Sequence, residues 1–323
     1  MPFAASPARA AAGSSSLPPP DDGGSQIALV SFATAPDRSP ADLGEERAIL
    51  ARARRENFPV ALRLLPRTER RHLIAIYGFA RLSDDLADEA DGNRVALLDA
   101  LERELDRALA GGARHPTVVR LVATIREAGL PVDPFRKLLA AGRQDQKVTG
   151  YATWEELRAY CALSADPIGE LVLHVFAAAT PERLARSASV CTALQLVEHC
   201  QDVAEDYRRG RVYLPAEDLA AHGCRVDDLG REAASSALRA VIGFEVERAR
   251  RLLADGDALV ASLSGVARLA IAGFVAGGRA ALDAIVRAGL DVLAHPAPRP
   301  RRRDLGRHAI ALLAPAAIGR RGG

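Results

Sequence analysis

From Leu43 to about Ala294, apolar residues return at i, i+3 and i+4 with few interruptions, the pattern of a chain built from packed helices. "HLIAIYGFARLSDDLADE" puts Leu73, Ile76, Tyr77, Ala80 and Asp84 on one helix face. "RVALLDALERELDRALAGG" predicts an amphipathic helix that stops at Gly111 and Gly112. "HPTVVRLVATIREAGL", "DPFRKLLAAGRQDQ" and "TWEELRAYCALSA" predict three more, each opening near Thr, Asp or Pro. One long helix is expected from about Pro181 to Arg208, and two others around 235–255 and 265–292. No alternating β pattern of useful length occurs, and no Gly-rich loop joins a strand to a helix, so a Rossmann-type nucleotide domain is not expected. The pattern is that of an all-α fold, one helical domain over residues 45–294.

The ends break this pattern. Residues 1–44, with "AAGSSSLPPPDDGGS" inside, are rich in Pro, Gly, Ser and Ala and read as a disordered tail. Residues 295–323 are basic and broken by Pro, and read as a flexible tail or one laid on the surface. A chain of 323 residues has ample material for a core, and a formal charge of +2 argues for no polyanionic partner. All but Lys137 and Lys147 of the 43 basic residues are arginine. In an Ala-rich chain with one Met this reflects GC-rich coding rather than a nucleic-acid surface.

Cys161, Cys191, Cys200 and Cys224 lack CxxC spacing and read as scattered reduced thiols, not a disulfide frame or zinc site. The longest uncharged apolar run, "LAIAGFVAGG", falls short of the roughly 18 residues a membrane span needs. No secretory signal is visible. A cytoplasmic protein is expected, with contact at a membrane surface left open.

Two acidic segments carry the chemistry. Asp84 and Asp88 lie four apart with Asp85 beside them; Asp202 and Asp206 repeat the spacing, with Glu205 adjacent and Glu198 one turn earlier. Like charges so placed cost a helix roughly 0.2–0.5 kcal/mol per pair, and neither inner segment interleaves Lys or Arg. A solvated face would explain one such cluster. Here both acidic stripes continue apolar ones: Tyr77 and Ala80 run into Asp84, Leu194 and Gln195 into Glu198 and Asp202. That points them toward a cavity. Oxygen-only ligands suit a hard cation, and Mg²⁺ commonly bridges a few carboxylates to substrate phosphates. "YRRGRVYLP" then adds Arg208, Arg209 and Arg211, whose guanidinium forks match phosphate oxygens. Two or three Mg²⁺ ions around a diphosphate are the expectation.

"YGFARLSDDLADE" and "LQLVEHCQDVAEDYRRGRVYLP" resemble the two aspartate-rich motifs of the squalene/phytoene synthase family. "ENFPVALRLLP" is similar to that family's opening helix and "YATWEELRAYCALSADPIGELVLHVF" to its central helices, so the likeness spans about 47–292. "ENFPV", "RQDQKVTGYATWEEL" and "LSADPIGELVLHVF" look most like its hydroxysqualene synthase branch in bacterial hopanoid pathways. The resemblance implies an isoprenoid synthase bundle around a central cavity, acting on an isoprenoid diphosphate. The branch implies that presqualene diphosphate becomes hydroxysqualene without NADPH, with other pathway enzymes as further candidate partners.

Carried over position by position, the resemblance makes Asp84, Asp85, Asp88, Asp202 and Asp206 metal ligands, with Glu198 a further one where phytoene synthase relatives usually carry Asn. Arg81, Tyr77, Gln195, Arg211 and Tyr213 match diphosphate or pocket positions, Phe58 a pocket aromatic, and Tyr160 a tyrosine near the reacting carbons. Gln201 stands where relatives often have Arg, which removes a diphosphate contact, and Gly278 stands near where some have Tyr, which suggests a roomier or differently hydrated pocket end.

Plainer readings stand beside these. Phe58, Tyr77 and Tyr213 fit core aromatics by periodicity alone, although the resemblance favours a pocket role for Tyr77. His174 and His199 fit packed positions, and Trp154 a packing anchor. The shared motifs do not separate conversion of presqualene diphosphate from head-to-head condensation by a presqualene diphosphate or phytoene synthase. A catalytically dead helical scaffold would be marked by lost aspartates, and none are lost.

Overall fold

The computed structural model describes residues 65–112, 114–293 and 299–314. The expected opening helix, its Phe58 and the tail over 1–44 therefore lie outside the described residues. Within them the order is α1 (Arg67–Asp88), α2 (Arg94–Leu109), α3 (Pro116–Ala128), α4 (Asp133–Gln144), α5 (Trp154–Ser164), α6 (Asp166–Val175) and α7 (Pro181–Gln201). α8 (Val203–Arg208), α9 (Ala216–Ala221), a 3₁₀ turn (Val226–Gly230), α10 (Ser236–Ala261), α11 (Gly265–Arg287) and α12 (Arg302–Leu313) complete it. No strand occurs among the described residues; one parallel bridge pairs Gly150 with Val212.

Local chemistry explains where the helices begin and end. The Asn93, Thr153, Thr180 and Ser235 side chains each accept a hydrogen bond from a first-turn amide. Pro116, Pro134, Pro167 and Pro181 sit in first turns, where a missing N–H costs nothing. Gly129 ends α3 at φ 62°, a left-handed cap that glycine adopts without strain.

The core runs through the bundle without a break. α7 packs on α5, α6, α10 and α11, and α1 on α2, α3, α4 and α6. Phe79 of α1 meets Phe135 of α4 edge to face at 5.4 Å, both fully buried. By length and composition α11 could cross a membrane, but 61% of its most apolar window is buried inside the protein, as in a core helix.

Two expectations need correction. The helix expected over 181–208 bends at Asp202 (φ −101°, ψ 10°), which separates α7 from α8. The segment from 295, expected to be a flexible tail, contains α12. Its Leu312 is buried, Asp304 pairs with Arg287 at 2.6 Å, and Arg307 and His308 both reach Asp283 at 2.8 Å. Past the prolines, Asp304, Leu305, His308, Ala309 and Leu312 recover a helical period, and α11 supplies the surface they need.

Candidate active site

α7 buries Val190, Ala193, Leu196, Val197 and Cys200, whereas Leu194, Gln195, Glu198 and, at its end, Asp202 keep accessible surface along one stripe. On α1 the matching stripe is Tyr77, Arg81, Asp84, Asp85 and Asp88. Asp84 keeps solvent-accessible surface although protein crowds closely around it. Burial pushes its carboxyl up to about 7; Asp88, Asp85 and Glu198 add to the rise and Arg81 opposes it. A charge on α7 is therefore felt on α1.

A direct contact joins the segments as well. Arg211 Nη1 donates to Asp88 Oδ1 at 2.7 Å across 123 positions of sequence. Arg81 holds Asp85 at 2.9 Å and Glu89 at 3.2 Å. On the other side, burial and then Asp202 raise Asp206 to about 7, with Arg211 opposing. Burial and Glu205 raise Asp202, with Arg209 opposing. Carboxylates outnumber the cations near them, and the surplus is held at the protein's expense.

Arg211 and Tyr213 owe their positions to backbone pairing. The Val212 amide donates to Thr149 O at 2.8 Å, the Ala216 amide to Tyr151 O at 2.9 Å and the Glu217 amide to Ala152 O at 3.0 Å. The run after α8 is thereby laid alongside residues 149–152, and Tyr213 stacks on His199 of α7, centroids 4.0 Å apart. Tyr160 and Tyr151 stand 5.6 and 6.0 Å from Tyr213. Burial drives His199 down to about 3, so it is neutral and packed, as expected. Burial also raises the phenols of Tyr160 and Tyr213, which keep their protons. Gln195 Nε2 lies 3.4 Å from His199 Nε2.

Most of the expected residues thus converge. Arg208 does not: it is exposed at the end of α8, and its neighbour Arg209 pairs with Glu205 at 2.8 Å. Gly278 marks no roomier pocket end either, because a Cβ there would meet Leu194 Cδ2 at 2.6 Å and Leu253 Cδ1 at 3.2 Å. Trp154 is a packing anchor, with the Arg248 guanidinium 4.5 Å from its ring centroid.

Sequence reasoning overlooked Asp145, which follows α4 and accepts hydrogen bonds from Tyr160 at 2.8 Å and Tyr213 at 3.2 Å. The signal was present: Leu138, Ala141 and Asp145 continue an apolar stripe into an acid, the same argument that picked out Asp84.

A family model described as squalene/phytoene synthase matches residues 51–304. The chain is similar to hydroxysqualene synthase of Rhodopseudomonas palustris, 38% identical over 214 residues, 65% of this chain and 72% of that protein. It is 31% identical over 296 residues to 15-cis-phytoene synthase of Synechococcus elongatus, 86% of this chain and 96% of the other. Among solved structures, squalene synthase HpnC from Alicyclobacillus acidocaldarius matches with a TM-score of 0.71 at 40% identity, covering 78% of this chain and 97% of that one.

Proposed function

The chain belongs to the squalene/phytoene synthase family, and from that premise we propose that it converts presqualene diphosphate to hydroxysqualene, with water as the final nucleophile. The contact between Arg211 and Asp88 carries the site half of this reading, since it brings a phosphate-matching guanidinium and both acidic segments to one place. Likeness to hydroxysqualene synthases at 38% and 35% identity favours this branch over the others.

The donor set fits Mg²⁺. Asp84, Asp85, Asp88, Glu198, Asp202 and Asp206 offer oxygen alone, and among the described residues no three His, Cys, Asp or Glu side chains form a ready-made metal site. Mg²⁺ typically takes few carboxylates and completes its shell with water and substrate phosphate, so an open, over-acidic pair of stripes suits it. Bound there, it would act as a Lewis acid toward the diphosphate. The protein's own part is to grip the diphosphate with Arg211 and Arg81, and to keep bulk water from the carbocation with apolar helix faces. Tyr160 meets the cation with its ring.

Purified protein given presqualene diphosphate and Mg²⁺ should yield hydroxysqualene equally with or without NADPH, and H₂¹⁸O should label the hydroxyl. EDTA should abolish the reaction and Mg²⁺ restore it. NADPH-dependent squalene would refute the branch, and an unlabelled alcohol would refute water capture. Head-to-head condensation is the second reading, favoured by the longer match to phytoene synthase; consumption of farnesyl or geranylgeranyl diphosphate alone would establish it. The same proposal sets the reaction in the cytoplasm at a membrane surface, with exposed Arg301, Arg302 and Arg303 facing anionic lipid. Failure to sediment with anionic vesicles would remove that part.

A further inference from the structure

Beside the two acidic segments stands a third acid that the reading above leaves without a task. Both oxygens of Asp145 are taken by phenols: the Tyr160 hydroxyl donates to Oδ2 at 2.8 Å and the Tyr213 hydroxyl to Oδ1 at 3.2 Å. Tyr151 stands 5.5 Å from Tyr160, and Gln144 Nε2 donates to its hydroxyl at 3.3 Å. With His199 stacked on Tyr213, four rings form one cluster, and two of them donate to this carboxylate. Tyr160 and Tyr213 are only 5% and 9% exposed. Tyr213 also lines a small hollow with Asp206 and Arg211, so the cluster adjoins the acidic segments.

Buried phenols need a partner, and a purely structural role would be satisfied by any acceptor. Burial raises the Asp145 carboxyl, while the Tyr160 phenol, Arg211 and the Tyr213 phenol oppose the rise, and in its ionised form the acceptor does more. With both protons committed to Asp145, neither tyrosine is free to protonate a departing diphosphate. What each offers a cation is a ring face and oxygen lone pairs, enriched by donation to an anion. The carboxylate, whose free lone pairs would trap a carbocation as an ester, has a phenol on each oxygen.

We propose that Asp145 is a positioning residue for control of the carbocation: it turns the Tyr160 and Tyr213 protons inward and keeps both phenols electron-rich toward the cation left when diphosphate departs. The proposal rests on the prenyl diphosphate reading above.

The test compares wild type, Asp145→Asn, Asp145→Glu, Tyr160→Phe, Tyr213→Phe and the Asp145→Asn/Tyr160→Phe pair, with presqualene and farnesyl diphosphates as substrates and products resolved by gas chromatography. Asp145→Asn should leave KM within about threefold and lower kcat by about 100-fold, because Asp145 hydrogen-bonds the two phenols and reaches Arg211 of the diphosphate grip only through its charge. A larger share of product should be alcohol captured before rearrangement, and Asp145→Glu should recover part of the loss. The double variant should lose no more than the worse single one, since the carboxylate acts through the phenol. Folded Asp145→Asn with wild-type kcat and products, or losses that add in the double variant, would overturn the proposal. Should Asp145→Asn fail to fold, the phenylalanine variants decide: unchanged products in both overturn it, and diverted products at unchanged KM support it. If wild type consumes neither diphosphate, the functional reading falls and takes this one with it. An active wild type matched by Asp145→Asn removes only this one.

Discussion

Along α1, Asp84, Asp85 and Asp88 ride on an unbroken helix whose own Arg81 holds Asp85, whereas Asp202 sits at a bend and Asp206 follows on a helix of six residues. The aspartate spacing is alike in both. The backbone beneath it is not. The unbroken segment presents a fixed row of carboxylates and brings part of its own countercharge. The bent one redirects the chain, so that Arg211, five residues past Asp206, reaches back to Asp88. One segment is a template and the other a clasp, which is why a cation that closes on the substrate is to be sought on the second.

Four measurements can break or sharpen that comparison. The largest effects are expected from Asp84→Asn and Asp202→Asn, each lowering turnover by about 10²–10³-fold in steady-state assays. The fold should survive, because each change removes a charge that burial disfavours. Full activity in either variant would show that one segment suffices. Next, Arg211→Ala should lower kcat/KM by about 100-fold, the cost of removing one preorganised charge, while Arg208→Ala stays within about threefold. Equal losses would mean that the clasp is a diffuse basic patch rather than one arginine.

The third measurement concerns the helices behind each segment. A Cβ on Gly278 would strike Leu194 of α7 at 2.6 Å, whereas one on Gly142 meets Ala87 of α1 at 3.2 Å. Gly278→Ala should cost about 1–2 kcal/mol in urea unfolding, and Gly142→Ala less, as the gain in helix propensity of about 1 kcal/mol offsets mild crowding. The reverse order would put the tighter packing behind the template.

The smallest effect is a pH dependence that His199 gives the clasp. Burial lowers its pKa from 6.5 to about 3, so the unfolded chain takes up a proton that the folded one refuses. That contribution to stability is complete above pH 6.5 and is lost as pH falls toward 3. Between pH 7.5 and 5.5 the loss should be about 1 kcal/mol, and His199→Phe should flatten it. A melting temperature equally pH-dependent in that variant would assign the slope to other groups.

Much of this was legible in the sequence because helices write a period of 3.6 into their apolar positions. The stripes through Tyr77 and Asp84, and through Gln195 and Asp202, follow from spacing alone. The bend at Asp202 was not legible, since no Pro or Gly marks it and the periodicity runs on through α8. Nor was α12, whose apolar positions are few and whose partner surface on α11 lies beyond a run of prolines. Asp145 was missed for another reason: an acid just past a helix end reads as an ordinary solvated terminus until its tyrosines, 15 and 68 positions away, are seen to converge on it. Gly278 misled because a missing side chain suggests space, and here Leu194 already occupies it.

The pairing of 149–152 with 212–217 sets the order in which the site can come into being. Its three backbone bonds close a loop of some sixty residues, an entropic cost that is recovered only once the helices between them have docked. The clasp should therefore form late in refolding, after the template helix has its shape. In the native protein the amides of Val212, Ala216 and Glu217 should exchange with solvent as one cooperative group, so that Arg211 and Tyr213 are released together rather than fraying one at a time.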